Sequence, residues 1–167
     1  MSVTFSEISR MSLFRGFDSS FVQLLDLFFV EEKYEPNTWL VEEGKLQNRF
    51  YMLFAGEVAV LQNTGGEKAI TLGHLAAGQY FGEMNLFDPG LATASVVSLT
   101  PVRTLEISND KFGYFITERP ELAADFTFQL TQTIVRRFRD NSNKLLEQLT
   151  DPESLRKAEE LNRGTPA

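Results

Sequence analysis

The feature that most restricts the fold of this sequence is a series of short apolar segments between residues 38 and 108, many of them separated by glycine. Segments such as "RFYMLFAG" and "TASVVSLTPVRTLEIS" are short and rich in β-branched and aromatic residues, so they predict about seven or eight strands. Asn63-Thr64-Gly65-Gly66 predicts a hairpin turn, because glycine accepts a positive φ without steric cost. Further glycines recur between the segments, as at the corners of a small barrel or double-sheet roll: Gly44, Gly56, Gly73 and Gly78.

Helical patterns flank this β region on both sides. Residues 19–34, "SSFVQLLDLFFVEEKY", begin with serines that can cap a helix and then place apolar residues at helical spacing. The apolar residues at this spacing are Phe21, Leu24, Leu25 and Phe28. After the strands, Ser108-Asn109-Asp110 offers caps for a short helix over residues 111–119 that stops before Pro120. We therefore predict a mainly β fold with a short helix on either side.

A much longer helix follows, over residues 120–149. Pro120 suits the first turn of a helix, and residues 121–149 contain neither glycine nor proline. Asp151-Pro152-Glu153 then predicts a last short, charged helix over residues 152–162. These patterns indicate one domain over residues 1–150, with a charged helix and tail over residues 151–167.

The long helix carries an apolar seam. Its residues follow a 4-3-4 spacing: Ile134, Phe138, Asn141 and Leu145. Such a seam predicts a partner helix, and hence a homodimer. The alternative is that the stripe packs only on its own β domain, which accounts well for Leu122, Phe126 and Leu130 but becomes strained toward Leu149, far out along the helix.

Composition argues against several classes of function. The net charge of −7 and the isoelectric point near 4.8 disfavour nucleic acid as a partner, because the chain repels phosphate polymers. The sequence has no cysteine, and His74 is its single histidine, so we expect no metal site, no thiol nucleophile and no enzyme activity. It has no signal-peptide pattern and no apolar stretch long enough to span a bilayer. We expect a cytoplasmic protein with no membrane partner.

Two segments, together with this order of elements, resemble the cyclic nucleotide-binding domain family. They are "EEGKLQNRFYMLFAGEVAVL" at residues 42–61 and "LAAGQYFGEMNLFDPG" at residues 75–90, and the resemblance as a whole covers roughly residues 10–148. It implies a jelly-roll-like β-barrel flanked by helices, with a long C-terminal dimerisation helix. It also implies that a phosphate-binding cassette begins at Phe81-Gly82-Glu83.

The cassette residues that the resemblance implies for ligand binding are Phe81, Gly82, Glu83, Met84, Ala92, Thr93 and Ala94. The physical properties of these residues agree with such a role. Gly82 and the start of a short helical turn over residues 83–87 let backbone N–H groups approach an anion. Glu83, when ionised, is only a hydrogen-bond acceptor, so it suits a sugar hydroxyl and not a phosphate. The alternative for Glu83 is that it caps its own short helix.

The sequence departs from the family pattern at one position. Members that bind a cyclic nucleotide usually continue Arg-Ser/Thr-Ala-Ser/Thr-Val, whereas this chain has Ala92-Thr93-Ala94-Ser95-Val96. An arginine that hydrogen-bonds a phosphate contributes roughly 1.5–3 kcal/mol. Three interpretations remain open. The pocket is empty and structural, it binds cyclic AMP or cyclic GMP weakly, or it takes a less charged ligand.

The resemblance also places Asn141 and Ser142 of the long helix near a nucleobase. The alternative is that Asn141 fixes the register of the helix seam and that Ser142 is a solvated neighbour. Unless the sequence is a piece of a longer chain, we expect no DNA-binding module, because only 18 residues follow Leu149. We therefore expect a non-catalytic regulatory or sensor domain that acts through dimerisation and contacts with a protein partner. The alternative is a pure interaction scaffold with no small-molecule ligand.

Overall fold

The computed structural model of the chain describes residues 4–9, 11–14, 17, 25, 27–63 and 69–150. Three sequence predictions therefore lie outside the described residues: the turn at residues 64–66, the start of the first predicted helix with Phe21 and Leu24, and the charged helix at residues 152–162.

The described residues include ten strands and four α-helices with described bounds, and residues 25, 27 and 28 are helical as well. The strands are β1 (Val30–Tyr34), β2 (Trp39–Val41), β3 (Leu46–Gln47), β4 (Arg49–Ala55), β5 (Glu57–Asn63), β6 (Ala69–Ala76), β7 (Tyr80–Phe81), β8 (Gly90–Leu91), β9 (Ser95–Ser98) and β10 (Val102–Ser108). The α-helices are α1 (Phe5–Ile8), α2 (Glu83–Phe87), α3 (Asn109–Glu118) and α4 (Pro120–Thr150), and a short 3-10 helix covers Ser12–Phe14.

Two four-stranded antiparallel sheets make up the β region. One has the strand order β1-β10-β4-β7 and the other β2-β9-β5-β6, while β3 and β8 form a separate two-stranded ribbon. This jelly-roll-like arrangement of sheets with flanking helices confirms the predicted fold class. Strand β4 shows why its sequence is apolar without a break. Successive side chains of a strand point to opposite faces, and Phe50, Tyr51, Met52 and Leu53 are all buried because both faces of the sheet are covered.

An aromatic cluster covers one face of β4. The ring of Phe126 in α4 lies 6.3 Å from the ring of Phe50 in β4, and close to four further phenylalanine rings. Those four are Phe14, Phe29, Phe112 and Phe115. Each such ring contributes about 1.5–3 kcal/mol by leaving water. The first turns of α4 therefore pack on the β domain, as the sequence alternative for Phe126 predicts.

A second cluster fills the space on the opposite face of β4. Its members come from both large sheets and the cassette: Leu40, Val41, Tyr51, Leu53, Val58, Phe81, Ala92, Val96 and Val102. Phe50 and Tyr51, neighbours in sequence, thus belong to two different cores.

The predicted helix over residues 19–34 is wrong at its C-terminal end. Residues 25, 27 and 28 are helical, but residues 30–34 form β1, which pairs along its whole length with β10. The pairing is supported by an ion pair of Glu31 with Arg103 at 3.3 Å and a hydrogen bond from Tyr34 to Glu106 at 2.6 Å. These long-range partners outweigh the local helical pattern.

Gly73 is not a corner, in contrast to the sequence prediction. It lies inside β6 opposite Val60, where the register between β5 and β6 shifts. Gly56, by contrast, does form a tight turn. Its φ is +84°, and a Cβ atom there would lie 2.2 Å from the carbonyl oxygen of Pro101, so no other residue fits.

The helices after the strands agree closely with the sequence. The Ser108 side chain caps α3 by accepting a hydrogen bond from the N–H of Lys111 at 3.3 Å, and α4 begins at Pro120.

The chain divides into two compact units, residues 1–129 and 130–167, with the boundary inside α4. The domain boundary predicted after residue 150 stays a prediction. No α-helix within the described part of the chain is long and apolar enough to cross a membrane.

Candidate functional site

A cavity of about 350 Å³ lies beside the segment that joins β7 to β9. One wall is apolar and comes from three strands, with Val41 in β2, Val60 in β5 and Val96 in β9. The cassette segment forms the rest. All seven residues that the sequence suggests for ligand contact line this cavity: Phe81, Gly82, Glu83, Met84, Ala92, Thr93 and Ala94.

Gly82 sets the direction of the chain as it leaves β7. Its φ is +78°, and it immediately precedes the first residue of α2. A Cβ atom on residue 82 would lie 2.5 Å from the carbonyl oxygen of Arg49 in β4, closer than real Cβ atoms come to any backbone oxygen. Glycine is therefore required here by packing against β4, in addition to any role beside an anion.

The aromatic wall of the cavity is rigid. The Phe81 ring stacks on the Tyr51 ring with centroids 4.7 Å apart and planes 8° apart, and the two residues are paired across β7 and β4. The Tyr51 hydroxyl donates to the Leu40 carbonyl at 3.4 Å. Burial, and the nearby Glu106 carboxylate to a lesser degree, raise the pKa of Tyr51 to about 12, so this side chain is a neutral phenol at physiological pH.

Ala92 is fixed in place by its backbone. Its N–H donates to the Lys45 carbonyl at 2.9 Å, and its carbonyl accepts from the N–H of Gly44 at 2.8 Å. Its side chain is only 9% exposed and belongs to the cluster that contains Val41, Phe81 and Val96. The Ala92 methyl group thus lines the cavity and packs against its apolar part.

Among the described residues, the two charged side chains that line the cavity are both acidic. Glu83, at the start of α2, is partly buried, and Asp88, just after α2, is exposed. The lining given by the described residues includes no lysine or arginine. Lys45 lies next to Ala92, because its carbonyl accepts a hydrogen bond from the Ala92 N–H. Its ammonium group, however, pairs with Glu42 at 2.7 Å.

A buried polar network that the sequence did not reveal lies on the same side of β4 as Tyr51. Glu106 of β10 is 1% exposed, and its carboxylate accepts three hydrogen bonds. The donors are the Tyr34 hydroxyl at 2.6 Å, the Thr104 hydroxyl at 2.7 Å and Nη1 of Arg49 at 3.0 Å. Burial and the Glu106 carboxylate raise the pKa of Tyr34, and Glu106 raises the pKa of Arg49. The only local sequence signal is a glutamate between the apolar residues Leu105 and Ile107.

A second depression, of about 420 Å³, lies near the start of β9. It is lined by Trp39, Glu42, Glu43, Gly44, Asn63 and Ser95. Two of its polar groups already serve the backbone: the Glu43 carboxylate accepts from the N–H of Asn63 at 2.7 Å, and the Ser95 hydroxyl accepts from the N–H of Glu43 at 2.9 Å. These two hydrogen bonds therefore hold the backbone around the depression in place.

The remaining predicted site residues lie on α4 in the second unit. In the seam, Ile134 is partly buried, whereas Phe138 is 72% exposed and Leu145 is 56% exposed. Asn141 is exposed and Ser142 partly buried. Their roles in base contact and in dimerisation stay predictions. Nowhere in the described ranges do three or more His, Cys, Asp or Glu side chains form a group that could hold a metal ion, and His74 is an exposed residue of β6.

Comparison with known proteins finds a family match over the whole β region. Residues 31–119 match the family model described as "Cyclic nucleotide-binding domain". Among curated proteins, the chain is 27% identical over 140 residues to the CRP-like cAMP-activated global transcriptional regulator of Mycobacterium tuberculosis. That match covers 83% of this chain and 60% of the relative.

The same type of domain is found in proteins with other architectures. The chain is 32% identical over 119 residues to the potassium/sodium hyperpolarization-activated cyclic nucleotide-gated channel 2 of Mus musculus. This match covers 71% of this chain and 13% of the channel. Among solved structures, the Thermus thermophilus catabolite activator protein superposes with a TM-score of 0.71 at 26% identity, over 80% of this chain and 61% of that one. The chain thus spans less than two thirds of the length of each of these proteins.

Proposed function

The chain belongs to the cyclic nucleotide-binding domain family, and on this premise we propose that it is a non-catalytic regulatory domain whose pocket lacks the cation that would hold a cyclic phosphate. The observation that carries the proposal is the lining of the cavity beside α2. The cassette residues line it, and among the described lining residues the charged ones are the carboxylates Glu83 and Asp88. The resemblance puts Ala92 at the position where the family pattern has arginine.

The missing guanidinium has a calculable effect on affinity. A hydrogen bond between charged groups contributes about 1.5–3 kcal/mol, and each 1.4 kcal/mol changes the dissociation constant about tenfold. The loss of the arginine therefore weakens binding of a cyclic phosphate by roughly ten- to a hundredfold. A like-charged carboxylate close to the phosphate weakens it further. We accordingly propose that cyclic AMP and cyclic GMP are weak ligands of this domain at most.

The output of the domain is proposed to be protein contact. The face of α4 that carries Phe138 and Leu145 exposes large apolar side chains to solvent, which is costly unless another surface covers them. A second copy of the same helix provides a matching 4-3-4 seam. A homodimer, or a complex with a protein partner, is therefore favoured over contact with nucleic acid, which the net charge of −7 repels.

A second candidate is a scaffold that binds no small molecule. It is favoured by the packing of Ala92, whose methyl group is already part of the apolar cluster. In this case the cavity beside α2 is a remnant of the fold, and only the surface of the domain acts.

Calorimetric titration distinguishes these candidates. Cyclic AMP and cyclic GMP are titrated into the wild-type chain, Ala92→Arg and Ala92→Met at low ionic strength, so that charge is separated from added bulk. The regulatory proposal predicts no heat from the wild type or Ala92→Met at micromolar ligand and recovered binding by Ala92→Arg. Silence from all three proteins supports the scaffold. Micromolar binding by the wild type contradicts the proposed loss of the cation.

A further inference from the structure

The lining of the cavity beside α2 also limits the chemistry of its ligand. We infer that the cavity takes an uncharged ligand that combines a ring system with hydroxyl donors, of the nucleoside class, and that it discriminates against phosphate esters. This inference rests on the proposed function, because it assumes that the cavity is a binding site, and it adds the class of ligand.

The apolar wall is suited to a flat ring. Val41, Val60 and Val96 present branched aliphatic groups from three adjacent strands. The Phe81 ring, held by its stacking on Tyr51, adds a rigid aromatic face. Pockets of a few hundred Å³ with apolar walls and a few polar groups are typical of small-molecule sites, and about 350 Å³ falls in this range.

The polar groups of the cavity favour donors over anions. The carboxylates of Glu83 and Asp88 accept hydrogen bonds but donate none while they are ionised. Both attract ligand hydroxyls and repel a phosphate. A nucleoside has free hydroxyls at the positions that the ring of a cyclic phosphate occupies, so it offers more donors and no negative charge.

Arg49, which lies on this side of β4, is already paired with a carboxylate. The side chain of Arg49 lies two positions before that of Tyr51 along β4, on the same face, and is 48% exposed. Its Nη1 atom bonds Glu106, which is almost completely buried. Moving Arg49 to a phosphate would remove the cation from that buried carboxylate, which is unfavourable. A phosphate in the cavity therefore gains little by recruiting Arg49.

The test compares adenosine with cyclic AMP as calorimetric probes of the wild type, Ala92→Arg, Ala92→Met and Glu83→Gln. For the wild type we expect adenosine to bind at least about tenfold more tightly than cyclic AMP. Ala92→Arg should reverse this order, whereas the uncharged Ala92→Met should lower the affinity for both ligands without reversing it. Glu83→Gln, which removes one charge at constant shape, should shift the ratio toward cyclic AMP by about three- to tenfold. Thermal melts of all four proteins confirm that they are folded.

The outcomes separate the ligand class from the proposed function. If the wild type binds neither ligand but Ala92→Arg binds cyclic AMP, the proposal that the pocket lacks a phosphate-binding cation is supported. The nucleoside inference is then overturned. If the wild type binds cyclic AMP more tightly than adenosine and Ala92→Arg adds nothing, both are overturned. If no protein binds either ligand, the inference is overturned and the scaffold alternative holds.

Discussion

Replacement of Gly82 by alanine tests whether packing alone requires glycine at the start of the cassette. An L-residue in the left-handed region costs about 1–2 kcal/mol, and the φ of Gly82 is +78°. The added Cβ atom would also lie 2.5 Å from the Arg49 carbonyl oxygen. Because that oxygen belongs to a strand and cannot move away alone, relief of the clash costs about 1–3 kcal/mol more. The free energy of unfolding should thus fall by about 2–5 kcal/mol.

A matched control separates the cost of the left-handed backbone from the cost of the clash. Gly44 has nearly the same φ, +76°, but an added Cβ atom there meets nothing within 4 Å. Gly44→Ala should therefore lose only the backbone term of about 1–2 kcal/mol. Urea unfolding followed by circular dichroism measures both variants against the wild type. Equal destabilisation of Gly82→Ala and Gly44→Ala would refute the close approach of the cassette to β4.

Two further predictions concern titration and assembly. The pKa of Tyr51 is raised in the folded state to about 12, so the unfolded chain ionises first. Its contribution to stability is complete below pH 10 and is lost between about pH 10 and 12. Tyr51→Phe should flatten the pH dependence of the urea midpoint over this range, and an unchanged slope would argue against the burial of the phenol. Ile134→Glu combined with Phe138→Glu should convert a dimer to a monomer in sedimentation experiments, because both changes place charge in the seam. Gln132→Glu, which adds a charge outside the seam, is the control, and an unchanged mass of the double variant would exclude a dimer through α4.

The sequence predicted the elements whose signals are local. The strand run, the cap at Ser108 and the start of α4 at Pro120 follow from neighbouring residues, and the structure confirms them. The cassette could be predicted for the same reason, because residues 81–94 are continuous in the chain, and their fold brings them around one cavity. The apolar wall could not be assigned in this way, since Val41, Val60 and Val96 come from separate strands.

The predictions failed where partners distant in sequence decide the structure. Residues 30–34 follow directly on the apolar helical pattern of the preceding residues, yet β1 forms because Glu31 and Tyr34 find partners on β10. Glu106 lies between two apolar residues of β10. Its burial becomes favourable only because Tyr34, Thr104 and Arg49 donate hydrogen bonds to it. No local pattern reports such convergence, because each partner is supplied by tertiary structure.

The most direct test of the central claim is calorimetric titration of cyclic AMP into the wild-type chain and Ala92→Arg. The claim is that the cavity keeps the family's cassette but lacks its phosphate-binding cation. It predicts no binding by the wild type at micromolar ligand and an affinity at least about tenfold higher in Ala92→Arg. Micromolar binding by the wild type, with no gain in Ala92→Arg, would contradict it.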